Sequence, residues 1–287
     1  MSKLSNPAYV SELLAGHGIR LKKRWGQNFL VDDNILQKIA AAADLQPQDL
    51  VLEVGPGIGA LTEKLGQAAG HVTTLEIDER LLPVLEETLA DYKNIETIHQ
   101  DALKADYQQL CAAGPLKIVA NLPYNVATPL FYLWLKKFRT CIKQLVCMVQ
   151  KEVAQRIVAA PGGKDYGTLS VICQYAAEVQ LAFEVPRTVF FPRPEVASAV
   201  LNIKPKQRTL LTPAAEVHFY QIVEAVFAQR RKTILNTLHA ALGMDKAEIL
   251  VLGELAELDL SRRGETLAVE EFARLAQMFY NKNNAAK

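Results

Sequence analysis

LVLEVGPGIGALTEKL, residues 50–65, decides the fold. A short apolar run, LVLEV, ends in three glycines, Gly55, Gly57 and Gly59, at G-x-G-x-G spacing. A helical pattern follows, with Leu61 and Leu65 on one face and Gly70 as its stop. A strand turning sharply into a helix is the opening unit of a parallel α/β sheet. Glycines at that turn let the backbone bend tightly and approach a ligand without interference from Cβ atoms.

Working outward, the same alternation continues. HVTTLEI (71–77) is β-branched and reads as a second strand, and IETIH, LKIVAN and QLVCMVQ read as further ones. ERLLPVLEETLADY is helical, with Leu81, Leu82, Leu85 and Leu89 at helical spacing. Such alternation predicts a parallel sheet covered by helices on both faces, with ligands at the carboxyl ends of the strands. After about Pro205 the strand signals stop. Residues 214–243, 245–258 and 266–281 read as helices, and Phe219, Ile222, Val223, Val226 and Phe227 form one apolar stripe. The expected organisation is therefore an α/β domain over 1–205 and a smaller all-α domain over 206–287.

Composition narrows the class. The chain has 287 residues, half of them apolar, and a net charge of +1. A nucleic-acid partner must then be held by local basic patches, not by global charge. The four cysteines, Cys111, Cys141, Cys147 and Cys173, form no CxxC pair and read as reduced thiols. The five histidines show no ligating spacing, so no metal site is expected. MSKLSNPAYV does not resemble a signal peptide, and no apolar run approaches the roughly 20 residues of a membrane span. The expectation is a soluble, cytoplasmic monomer without a membrane partner.

The glycine loop alone also fits dinucleotide enzymes. Two details favour S-adenosylmethionine: the G-x-G-x-G spacing, and Glu53 two residues before the first glycine. There its carboxylate could orient the loop or meet the amino group of an amino-acid-like ligand. Glu76 ends the next strand, 21 residues after Gly55, where a carboxylate can accept from both ribose hydroxyls of an adenosine. Asp78 is its neighbour, with a helix cap as the plainer role. Asp101, after the third strand, can accept from the exocyclic amine of the cofactor's adenine, or can itself be a cap.

IVANLPYNVATPL follows the fourth strand and carries the most specific chemistry. The amino nitrogen of adenine is a poor nucleophile because its lone pair is delocalised into the ring. Acceptors that draw its hydrogens out of plane build sp³ character and free the lone pair for in-line attack. Asn121 supplies one acceptor through its side-chain oxygen. The backbone carbonyl of Leu122, kept out of helical geometry by Pro123, supplies the second. Tyr124 offers a flat face on which an extruded base can stack. The methyl donor already carries a sulfonium charge, so orientation carries most of the rate and no general base is required.

Read in order, RWGQNFLVDDNIL, VLEVGPGIGALT, LEID, QDAL, NLPYNVATPL, FFPRPEVASAV and QRRKTILNTL resemble the motifs of the ribosomal RNA adenine dimethyltransferases, the bacterial small-subunit enzymes. The resemblance runs from about Arg24 to about Leu267. It implies a Rossmann-like class I methyltransferase domain with a helical C-terminal domain. It also implies transfer of two methyls to each of two adjacent adenosines in a hairpin loop near the 3′ end of 16S rRNA, late in small-subunit assembly. On this resemblance Asn28 and Leu30 cover the cofactor, while Gly55, Glu76, Asp101 and Asn121 line the rest of its site. Phe190, first residue of F-x-P-x-P, packs against the flipped base, with core packing as its alternative. Trp25 stands where Phe is more usual, and Ala268 where a Ser or Thr cap is expected.

Three basic clusters are candidates for the RNA face: Arg20 to Arg24, Lys136 to Arg139, and Arg230, Arg231 and Lys232. The third is the most informative. The apolar stripe runs straight into it, and arginines on a packing face are costly unless they find partners such as phosphates. An internal salt bridge is the competing reading. Three rival functions remain: a large-subunit adenine methylase of the erythromycin-resistance type, a ribosome-assembly factor without turnover, and an NAD oxidoreductase. The last lacks any His or Tyr-Lys pair that could serve it.

Overall fold

A computed structural model of the chain describes residues 2–19 and 28–285. The basic cluster 20–24 and Trp25 lie outside the described residues. In chain order the elements are α1 (Pro7–Gly16), β1 (Phe29–Leu30), α2 (Asp33–Ala42), β2 (Leu50–Val54), α3 (Ala60–Ala68), β3 (His71–Glu76) and α4 (Leu82–Thr88). Next come β4 (Ile95–His99), α5 (Tyr107–Leu110), β5 (Leu116–Asn121), α6 (Ala127–Lys137), β6 (Ile142–Gln150), α7 (Lys151–Val158) and α8 (Thr168–Ala176). The last are β7 (Ala177–Val185), β8 (Phe190–Phe191), β9 (Ser198–Pro205), α9 (Pro213–Phe227), α10 (Ile234–Leu242), α11 (Lys246–Leu255) and α12 (Val269–Ala285). No helix among the described residues is long and apolar enough to cross a membrane.

The chain divides into two compact units: Met1–Ala154 with Glu178–Pro205, and Gln155–Ala177 with Lys206–Lys287. The first unit holds a seven-stranded sheet of order β4-β3-β2-β5-β6-β9-β7. Strands β4, β3, β2, β5 and β6 pair in parallel, and β9 runs antiparallel to β6. The inner strands are buried almost without interruption, as a parallel sheet covered on both faces requires. The edge strands are less buried, β4 a mixture of half-buried and exposed residues and β7 exposed over most of its middle. A separate two-stranded ribbon pairs β1 with β8, setting Leu30 opposite Phe190 and Phe29 opposite Phe191. At the amino ends of the strands, the buried Lys117 ammonium donates to the carbonyls of Ala43 (2.9 Å) and Asp44 (2.6 Å) and pairs with Asp49 at 2.7 Å.

The second unit is helical. Tyr175 of α8 stacks on Phe219 of α9, with ring centroids 4.0 Å apart. This contact explains why Gln155–Ala177 groups with Lys206–Lys287, although the sequence places it in the 1–205 domain. The stripe Phe219, Ile222, Val223 and Val226 is buried as expected. The single helix expected over 214–243 is instead two. The chain turns at 228–233, and the Thr233 hydroxyl, accepting from the Asn236 amide, starts a new helix. Arg230, Arg231 and Lys232 therefore lie in an exposed turn beyond the stripe, not on a packing face. The missing Ser or Thr cap at Ala268 is replaced from within the helix. The Glu271 carboxylate accepts from the Ala268 amide at 2.7 Å and is itself held by Arg262 at 2.6 Å.

Candidate functional site

The chain enters the sheet at its centre, on β2, builds outward through β3 and β4, then crosses back to lay β5 on the other side of β2. The strand order reverses between β2 and β5, and the carboxyl ends of these two strands frame a crevice. Both sequence-predicted loops emerge there. One cavity is lined by Asn28 and Leu30, Glu53 and Gly55, Glu76, Asp101, and Asn121 through Tyr124.

The glycine loop is shaped by conformation and by space. Gly55, Gly57 and Gly59 have φ of 69°, 62° and 87°, in the left-handed region that side chains disfavour. A Cβ on Gly57 would also lie 2.9 Å from the Phe29 ring, and one on Gly55 3.3 Å from Pro123. The glycine loop is thus pressed against Phe29 of β1 and against Pro123 of the loop after β5.

Four carboxylates, Glu53, Glu76, Asp78 and Asp101, ring the cavity in different states. Glu53 is only 1% exposed, and its Oε2 has no hydrogen-bond partner among the described residues. Burial pushes its carboxyl up to about 8, and the neighbouring Glu76 charge adds to the rise. The Thr62 hydroxyl lies close and opposes it without meeting hydrogen-bond geometry. Glu76 is buried at the end of β3 and also raised by desolvation, while accepting from the amides of Asp78 (2.8 Å) and Gly57 (3.4 Å) works against that rise. Its carboxylate thereby ties the glycine loop to the strand that carries it. Asp101 accepts from the Leu103 amide at 2.9 Å, so it caps a turn while lining the cavity. Asp78 likewise caps a turn, accepting from the Arg80 amide and pairing with that side chain, while lining the cavity.

On the β5 side, the Leu122 amide donates to the Met148 carbonyl at 3.0 Å, extending the β5–β6 ladder one residue into the loop. The Leu122 side chain is buried, so the residue meets the cavity through its backbone. The Asn121 side-chain amide donates to the Asn28 carbonyl at 3.4 Å. That bond sets the orientation of the side-chain amide, and with it the direction of the oxygen, its one acceptor. The Tyr124 hydroxyl meets the Ser198 hydroxyl at 2.9 Å, and burial holds the phenol above its ordinary value.

Phe190 is not among the cavity-lining residues; it is buried in the core cluster opposite Leu30. Arg230, Arg231 and Lys232 belong to the other unit. One Arg230 Nη donates to the carbonyls of Lys164 (2.9 Å) and Tyr166 (3.2 Å), a backbone contact where a salt bridge was the competing expectation. Lys136 and Lys137 close the last turn of α6, which leads to the amino end of β6, away from the crevice; Lys136 lies over the Tyr132 ring. Sequence reasoning passed over Ile77 and Leu103, which line the cavity beside Glu76 and Asp101 and are 48% and 38% exposed. An apolar residue just after each strand-end acid was the signal that could have marked them as walls for a flat ring. Phe29 and Ser198 carried no such signal.

A family model described as ribosomal RNA adenine dimethylase matches residues 18–275. The chain is 45% identical over 282 residues to the ribosomal RNA small subunit methyltransferase A of Enterococcus faecalis, covering 96% of this chain and 95% of the relative. It is 47% identical over 287 residues to the protein of the same name from Moorella thermoacetica, covering 96% and 99%. Among solved structures, a dimethyladenosine transferase from Plasmodium falciparum superposes with a TM-score of 0.71 at 27% identity, covering 87% of this chain and 96% of that one. The 23S rRNA methyltransferase ErmE gives 0.67 at 29% identity, covering 88% and 99%.

Proposed function

Because this chain belongs to the ribosomal RNA adenine dimethylase family, we propose that it dimethylates the 6-amino groups of two adjacent adenosines in 16S rRNA, using S-adenosylmethionine. The target is a hairpin loop near the 3′ end of that RNA in the small ribosomal subunit, and the reaction accompanies subunit biogenesis. The protein works as a cytoplasmic monomer.

The residues present fit the donor. The left-handed glycine turn leaves room for close backbone approach. Glu53 brings a buried carboxyl oxygen that lacks a partner and suits the ammonium of the donor's amino-acid end. Glu76 is placed for the ribose hydroxyls, and Asp101 for the adenine amine, between the apolar walls Ile77 and Leu103. Asn28 and Leu30 close the cavity from the N-terminal side. When bound, the donor supplies a methyl group already activated by the sulfonium charge.

The chain's own work is orientation. Asn121 stands where the cofactor cavity meets the base side, and its oxygen accepts one hydrogen of the target amine. The Leu122 carbonyl, directed by Pro123, accepts the other. Drawing both hydrogens toward these acceptors pyramidalises the nitrogen and points its lone pair at the methyl. Tyr124 supports the purine by stacking, and Phe190, buried in the core, backs Leu30 across the β1–β8 ribbon. Arg230, Arg231 and Lys232 engage rRNA phosphates from the helical unit.

The observation that carries this reading is the bond from the Asn121 amide to the Asn28 carbonyl, because it fixes how the side-chain amide is turned and so the direction in which its oxygen accepts. The large-subunit reading fares worse, since identity to the small-subunit relatives is 45–47% against 29% for the 23S enzyme. Labelled methyl transfer to purified small and large subunits in parallel, followed by nucleoside analysis, tests the proposal. Dimethyladenosine confined to the small subunit is expected, and label in the large subunit would overturn it.

A further inference from the structure

Ser198 opens β9. The antiparallel pairing of β9 with β6 sets Ser198 opposite Gln150, two residues beyond Met148, which itself faces Asn121 across the β5–β6 ladder. The carboxyl edge of the sheet thus brings Ser198 beside the loop that follows β5. There its hydroxyl, fully buried, shares a hydrogen bond of 2.9 Å with the Tyr124 hydroxyl. Tyr124 lines the cavity and is only half-buried. Its tip is tied to a rigid strand while its ring forms part of the cavity wall.

We propose that Ser198 is a positioning residue for the target base: by holding the Tyr124 hydroxyl it fixes the plane of the ring on which adenine stacks. This rests on the reading of Tyr124 as the stacking face. A tyrosine side chain turns about two bonds, and a ring with one side open to a cavity is not held on that side by packing. Stacking presents the amine to Asn121 and Leu122 correctly only in one plane. Ordering a free ring during binding would cost about two- to tenfold in rate, a cost the tether removes in advance. The bond also satisfies both buried hydroxyls. Tyr124 acts here through the placement of its ring, and its hydroxyl takes no part in proton transfer.

The test uses S198A, Y124F, the double variant and Y124A, assayed as full-length proteins for methyl transfer to undermethylated small subunits. Cofactor affinity is measured alongside by titration calorimetry. S198A and Y124F should each lower kcat by about two- to tenfold. Cofactor Kd and the KM for subunits should stay within about twofold, and the double variant should be no slower than either single one. A merely structural serine would weaken cofactor binding and thermal stability together with turnover. Wild-type turnover in S198A, or losses that multiply in the double variant, would overturn the proposal. If S198A folds poorly, Y124F decides alone, because it removes the same bond from the cavity side; a wild-type kcat there is fatal. Y124A separates the two readings. Full turnover in Y124A means the stacking assignment has failed. Strong impairment of Y124A beside normal S198A and Y124F means only the Ser198 assignment has.

Discussion

Replacing Glu53 by Gln should remove a pH dependence that its burial imposes on stability. The wild-type carboxyl is raised from 4.5 to about 8 by burial. Between those limits the folded protein keeps a proton that the unfolded chain has released. Stability from this group is therefore greatest below pH 4.5, declines as pH rises, and stops declining above about 8. At about 1.4 kcal/mol per pH unit, the loss between pH 5.5 and 7.5 is of order 2.5 kcal/mol. Glu76, also raised, contributes in the same direction. E53Q keeps the shape but cannot ionise, so its stability should vary less with pH by that amount. Urea unfolding, followed by fluorescence of the buried Trp134 in the same unit, provides the measurement at each pH. Saturating S-adenosylmethionine should flatten the wild-type curve, because an ammonium beside Glu53 favours the carboxylate, and should leave the E53Q slope unchanged. Parallel wild-type and E53Q curves without cofactor would refute the desolvation argument. Equal cofactor affinity in the two proteins would refute the ammonium assignment.

Other substitutions probe the remaining parts. N121A removes one of two acceptors for the amine and should lower single-turnover rates at saturating cofactor by about 10²–10³; a loss below tenfold would speak against the acceptor role. G57A forces a side chain into a φ of 62° and against the Phe29 ring. It should weaken cofactor binding by about tenfold or more, since left-handed geometry alone costs about 1–2 kcal/mol, and calorimetry would show it. K117M removes the buried ammonium at the amino ends of the strands and leaves Asp49 with the Lys143 ammonium at 3.4 Å and the Gln46 amide, so it should destabilise by about 1.5–3 kcal/mol while turnover per folded molecule is retained. R231A with K232A should reduce the slope of log affinity against log salt for small-subunit binding by about 1–2; an unchanged slope removes these residues from the RNA contact.

The parts of the fold that were legible were those buried on both faces. Strands β2, β3, β5 and β6 lie in the sheet interior, so their sequences are continuous apolar or β-branched runs. AEVQLAFEV forms β7 at an exposed edge, where one-sided contact places no such demand on composition. The long C-terminal helix was over-extended because RRK carries good helix formers, while the break is made by a cap at Thr233. The site divides in the same way. Glycines and strand-end acids are fixed by local geometry, and their spacing is visible in the chain. The bonds that orient Asn121 and Tyr124 come from partners 93 and 74 residues away. Neither partner has a local pattern that sets it apart. The ribbon of β1 and β8 is the extreme case, since two residues per strand leave no periodicity to read. Yet that ribbon sets Leu30, assigned to the cofactor, opposite the buried Phe190. Phe29 of the same strand bears on the glycine loop. A change in either strand therefore reaches the cofactor site.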